Sequence, residues 1–126
     1  MVEKKNLKTK LINKKGFWFY SFAIILLVLL PLNSAGEINN IIILSFRGDY
    51  FLHALVFIPW MLFQPAMKTN LWLWLLYGLI FAAGSEALQF LLPYRAFNIN
   101  DLIANMAGVV TGAIVFGIAR LYAFTP

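Results

Sequence analysis

Four long apolar runs separated by short polar connections, at about 17–32, 49–66, 71–92 and 101–124, leave this chain few folds to choose from. The hydrocarbon core of a bilayer is about 30 Å thick, and a helix needs roughly 20 residues to cross it. No water is available there to hydrogen-bond the backbone, so a spanning segment must satisfy its own amides, as a helix does. Composition agrees: 62% of the residues are hydrophobic and 12% are charged, where soluble domains have about 45–50% and 25%. A soluble α/β enzyme, a disordered chain and a secreted disulfide scaffold are thereby excluded. The absence of cysteine removes disulfides, thiolate metal sites and cysteine nucleophiles. The expected fold class is all-α: a polytopic membrane protein with a bundle of four transmembrane helices over 17–126, preceded by a basic tail over 1–16.

The net charge of +5 is concentrated rather than spread. Lys4, Lys5, Lys8, Lys10, Lys14 and Lys15 all precede the first apolar run, a pattern of cytoplasmic retention beside anionic lipid rather than of nucleic-acid binding. Lysines followed by an apolar run and Asn33-Ser34-Ala35 also fit a signal peptide. The run exceeds the usual length of a signal core, and Phe17-Trp18-Phe19-Tyr20 makes an aromatic interfacial anchor, so an uncleaved helix is expected. With Lys68 and Arg120 counted on the side of the tail, only Arg47 and Arg95 fall on the other. That asymmetry predicts a multi-pass protein of the cytoplasmic (inner) membrane with both termini inside. Segment 37–48 carries Ile41-Ile42-Ile43-Leu44, too short to cross; an interfacial position and a cover over the bundle both fit it.

A charge inside a span costs about 2.5–3.5 kcal/mol on insertion scales, so the polar positions carry information. Asp49 and His53 open the second helix, Glu86 and Gln89 lie near the end of the third, Arg95 follows in the connection, and Asp101 and Asn105 open the fourth. All are expected in one outer-leaflet layer, as a ligand-binding or catalytic site. Gly78, Ala82, Glu86 and Gln89 share one helical face, as do Asp101, Asn105, Gly108 and Gly112. Small residues at Gly78, Gly108 and Gly112 allow close helix packing in lipid, and Pro59 is expected to bend the second helix. A purely structural reading stands beside the functional one: Arg95 paired with Glu86 or Asp101, His53 with Asp49, Asn105 bonding between helices, and the two aspartates capping helix starts.

The ordered set Asp49-xxx-His53, Glu86-xx-Gln89-Phe90-xx-Pro93-x-Arg95 and Asp101-xxx-Asn105-xx-Gly108-xxx-Gly112 resembles the VanZ-like family of bacterial membrane proteins. Two positions depart from the family pattern: Tyr50 stands where lysine is common, and Asn98 where an acidic residue is common. The resemblance implies an integral membrane protein of the cell envelope; the family takes its name from a member of a glycopeptide-resistance cluster associated with teicoplanin resistance, so a resistance role is expected here by analogy. Enzymatic activity is not implied by it.

Three functions fit these residues. The first is action on an outer-leaflet lipid, a lipid-linked envelope precursor or a lipoglycopeptide, with Arg95 gripping a phosphate or carboxylate. The second is an intramembrane enzyme on a lipid phosphate. It would use His53 and Glu86 as acid and base, or Asp49, His53, Glu86 and Asp101 around a divalent metal such as magnesium or manganese. The third is a small ion-coupled carrier. No cofactor-binding motif is evident. Membrane lipids are the expected partners.

Overall fold

The computed structural model describes residues 12–30, 42–43, 46–94 and 97–123. Helix α1 (Lys14–Leu29) starts where the Asn13 side chain accepts a hydrogen bond from the Gly16 amide at 2.8 Å, an N-cap that satisfies one amide left over by the first turn. It stops at Leu30, whose backbone is extended; Leu30 precedes Pro31, and the proline ring disfavours helical geometry in the residue before it. At 1.5 Å per residue α1 is about 24 Å long.

Among the described residues three helices, not the expected four, are long and apolar enough to cross a membrane: α2 (Gly48–Met67), α3 (Leu71–Phe90) and α4 (Ile99–Ala123). The first apolar run falls short because its helix, which ends before Pro31, has 16 residues. It nonetheless lies along α3 from end to end. Phe17 packs its ring edge against Trp60 and Phe63 and its face obliquely against Trp74, with centroids 5.1–5.6 Å apart. At the other end, Tyr94 Oη donates to the Leu29 carbonyl at 2.6 Å. Of segment 37–48, the described part is a minimal antiparallel ladder. Strands β1 (Ile42–Ile43) and β2 (Phe46–Arg47) pair Ile42 with Arg47 and Ile43 with Phe46, and β2 runs directly into α2.

Pro59 does more than bend α2. The helix is α-helical over Gly48–Phe57, tightens to a 3-10 helix over Ile58–Phe63, and relaxes to an α-turn over Gln64–Met67. Pro59 has no amide to give to the turn before it. In the same turn the Val56 carbonyl accepts a hydrogen bond from Tyr20 Oη of α1 at 2.6 Å. After Lys68 adopts a left-handed conformation (φ 53°), Asn70 caps α3 by accepting from the Trp72 amide at 2.8 Å.

Helix α4 lies against both α2 and α3, and α1 closes the other side of α3. The core is aromatic. Trp60 and Trp74 stack with centroids 4.9 Å apart, and Phe81 stacks on Trp60 at 5.2 Å. Met61, Ala82 and Val109 have no exposed surface at all. Large apolar side chains such as Leu55, Ile80, Ile114 and Val115 point outward; in lipid these cost nothing, whereas in water they would form an aggregating patch. Close approach of α4 to α2 depends on glycine. A side chain at Gly108 would run into the backbone carbonyl of Ala54, and one at Gly112 into that of Ile58.

Candidate functional site

The polar residues gather at one end of the bundle, where α2 and α4 begin and α3 finishes. Asp49 lies in the first turn of α2, and His53 lies one turn further on. His53 reaches across to α4, where its Nδ1 is 2.9 Å from Asn105 Oδ1. With that oxygen accepting, Nδ1 carries the proton and Nε2 keeps the lone pair. Nε2 faces Asp101 Oδ2 at 3.9 Å, an ion-pair distance when the ring is protonated. Asn105 is 2% exposed, while His53 and Asp101 retain 24% and 13% of their side-chain surface. His53 and Asp101 are therefore partly exposed at the end of the bundle, and Asn105 is buried between α2 and α4. The pairing of His53 with Asp49 that the sequence allowed is replaced by these contacts with α4, because the ring projects towards the neighbouring helix.

Glu86 is 1% exposed. Its Oε1 accepts a hydrogen bond from the Asn98 amide at 3.1 Å, immediately before α4 begins. A carboxylate beside a helix N-terminus is favoured by the helix dipole as well as by the bond itself. Glu86 thus ties the end of α3 to the start of α4 and holds Asp101 and Asn105 at their depth. Asn98 Oδ1 accepts from the Asn100 amide at 3.0 Å, and Asn100 Nδ2 donates to Tyr50 Oη at 3.2 Å. Tyr50 and Asn98 thus take part in hydrogen bonds that join the starts of α2 and α4 and the connection before α4.

Gln89 is buried beside Glu86 on α3, and Ser85 is buried with its hydroxyl donating to the Ala82 carbonyl at 2.8 Å. That internal bond takes the Ser85 proton away from any base. Arg95 lies outside the described residues. Among those described, no group of three or more His, Asp or Glu side chains converges in a way that could hold a metal ion. Below the site the interior is filled by Trp60, Met61, Ala82 and Val109, so the described residues form no polar route towards the opposite end.

Asn98, Asn100 and Tyr50 are the contributors that sequence reasoning did not name as site residues. Two asparagines directly before a long apolar run are a helix-start signal, and that signal marks the first two. Nothing local marks Tyr50, whose role depends on where α4 lies. Gly78 belongs to the core rather than to the site: a Cβ there would stand 2.7 Å from the Trp60 ring and from Val109.

A family model described as VanZ/LLP1 matches residues 17–120. No curated protein and no solved structure matches the chain.

Proposed function

The chain belongs to the VanZ/LLP1 family and is a VanZ-like membrane protein, and from that premise we propose that its polar end binds the head of an outer-leaflet lipid or lipid-linked envelope precursor. The observation that carries this reading is the contact of His53 with Asn105 and Asp101 across α2 and α4, partly exposed at His53 and Asp101 and underlain by apolar packing. Such an arrangement accepts hydrogen bonds from hydroxyl or amine groups of a head, while the acyl or prenyl chain stays in the bilayer alongside the apolar outer surfaces of the helices. Arg95, which falls by sequence within the connection between α3 and α4, is the residue we assign to the phosphate or carboxylate contact.

The basic end holds Lys14, Lys15, Lys68 and Arg120, and we place it on the cytoplasmic side of the inner membrane by the positive-inside rule. The start of α1 and the end of α4 are then both inside, and the site faces outward. On this reading the protein meets glycopeptides and their lipid-linked targets at the outer leaflet, and altered susceptibility to teicoplanin is the corresponding cellular effect.

The test is native mass spectrometry of detergent-extracted protein. Wild type retains a polyprenyl phosphate or a sugar-bearing lipid, and Asp101→Asn or Arg95→Gln loses most of it. Equal retention by all three proteins would remove the site from lipid binding. In cells, Arg95→Gln at normal expression abolishes whatever protection from teicoplanin the wild type gives; retained protection removes Arg95 from the role.

A second reading has one observation in its favour. The bond from Nδ1 to Asn105 fixes the ring so that Nε2 is the basic nitrogen, beside Asp101, which is the arrangement of a general base oriented by its neighbours. In that case His53 Nε2 takes the proton of a hydroxyl or water as its oxygen bonds to the phosphorus of a lipid phosphate and the bond from phosphorus to the leaving oxygen breaks; Asp101 stabilises the imidazolium, which returns the proton to the departing oxygen. The acid role considered for Glu86 from sequence passes to the protonated His53 in this reading, since Glu86 Oε1 is engaged with the Asn98 amide. Turnover of a lipid-phosphate panel by wild type but not by His53→Gln separates this reading from binding alone.

A further inference from the structure

At the end of the bundle opposite the polar site, an open pocket of about 550 Å³ is lined by Ile12, Asn13, Lys14, Lys15 and Ala66. It lies between the first turn of α1 and the last turn of α2. Lys14 and Lys15 are exposed, and so is Lys68 in the connection just after α2. The acidic groups among the described residues, Asp49, Glu86 and Asp101, all lie at the other end, and the first turn of α1 contains no acidic residue. The lysines of the pocket therefore face no carboxylate among the described residues.

The depth of the pocket is marked independently by tryptophan. Trp18, one turn after Lys14 and Lys15 on α1, and Trp72, in the first turn of α3, expose 64% and 75% of their surface. This contrasts with Trp60 and Trp74, both 3% exposed in the core. Exposed indoles at helix ends settle at the level of the lipid headgroups, with their N–H in the wet layer and their rings in the apolar one. An open pocket at that level, with lysines that meet no carboxylate among the described residues and an apolar wall from Ile12 and Ala66, matches one ligand chemistry: a phosphate joined to a hydrophobic body.

We propose that the pocket between the start of α1 and the end of α2 binds the phosphate head of an anionic phospholipid of the adjacent leaflet, held by Lys14 and Lys15. The proposal is independent of any ligand at the polar end. Its role for the protein is to fix the basic end of α1, the shortest helix, at the membrane surface.

The experiment is a titration of the purified full chain in detergent with phosphatidylglycerol or phosphatidylcholine, counting bound lipids by native mass spectrometry. Each lysine near an anionic surface adds roughly 1 kcal/mol, so two correspond to a preference for phosphatidylglycerol on the order of tenfold to thirtyfold. The preference disappears in K14Q/K15Q, returns in K14R/K15R, and falls as salt is raised on the wild type. It persists in the tail variant K4Q/K5Q/K8Q/K10Q and in D101N. Equal binding of the two lipids overturns the proposal, as does a preference that survives K14Q/K15Q or vanishes only in the tail variant. Displacement of phosphatidylglycerol by millimolar inorganic phosphate reassigns the pocket to a free anion and overturns the lipid assignment. Intrinsic tryptophan emission reports folding, and if K14Q/K15Q loses the native signal the single variants K14Q and K15Q, each with about half the effect on a logarithmic scale, decide the matter.

Discussion

Trp60 and Trp74 each donate their indole N–H to the other's backbone carbonyl, both at 3.0 Å. The exchange locks the 3-10 stretch of α2 to the first half of α3, with the two rings stacked between the backbones. It is possible because Gly78 leaves room for the Trp60 ring. In apolar surroundings an unmet polar group is costly, so both indoles and the carbonyl of Trp60 gain from one arrangement.

Trp74→Phe keeps most of the ring stack but removes one donor and leaves the Trp60 carbonyl without its indole. Interhelical hydrogen bonds in membranes are worth about 0.6 kcal/mol on average and up to roughly 1.7. The expected loss is about 1 kcal/mol, seen as a lower unfolding midpoint in detergent. An unchanged midpoint would mean that the exchanged bonds add nothing to packing.

Gly108→Leu is expected to separate α2 from α4, since its side chain has only the Ala54 backbone to move against. Overpacking costs typically 1–3 kcal/mol and can cost more where the backbone must shift. Gly117→Leu, with nothing within 4 Å of the added Cβ, is expected to be close to neutral. Comparable losses in the two variants would contradict the close approach at Gly108.

Tyr20→Phe removes the hydroxyl that serves the Val56 carbonyl beside Pro59. In a Pro59→Ala background the α-helix can continue and bring the Trp60 amide to the Val56 carbonyl, so the same Tyr20→Phe change is expected to cost less. A double-mutant cycle on thermal midpoints measures the difference. Additive effects would show that Tyr20 and Pro59 are not linked.

Glu86→Gln preserves an acceptor for the Asn98 amide, whereas Glu86→Leu does not. The glutamine variant is expected to keep the start of α4 in place. The leucine variant is expected to loosen the connection between α3 and α4, read as faster protease cleavage within residues 91–98 and a stability loss of about 1–3 kcal/mol. Equal cleavage rates in the two variants would assign Glu86 a role other than tying this connection.

The sequence alone determined that this is a helical membrane chain, where its long apolar helices lie, and that Asp49, His53, Glu86, Asp101 and Asn105 share one end. These are local properties: hydropathy acts segment by segment, and a turn of 3.6 residues decides which side chains share a face. Even the end of α1 was written in Pro31, though the hydropathy of the run concealed it. Only the tertiary structure decided the partners. His53 meets Asn105 and Asp101 rather than Asp49, and Glu86 serves the Asn98 amide. Tyr20 serves the carbonyl beside Pro59, and Trp60 exchanges bonds with Trp74. Each of these contacts depends on the axial offset and rotation of one helix against another. That offset is set where Gly108 and Gly112 let α4 sink onto the backbone of α2, and a shift of one turn would hand every polar group a different neighbour.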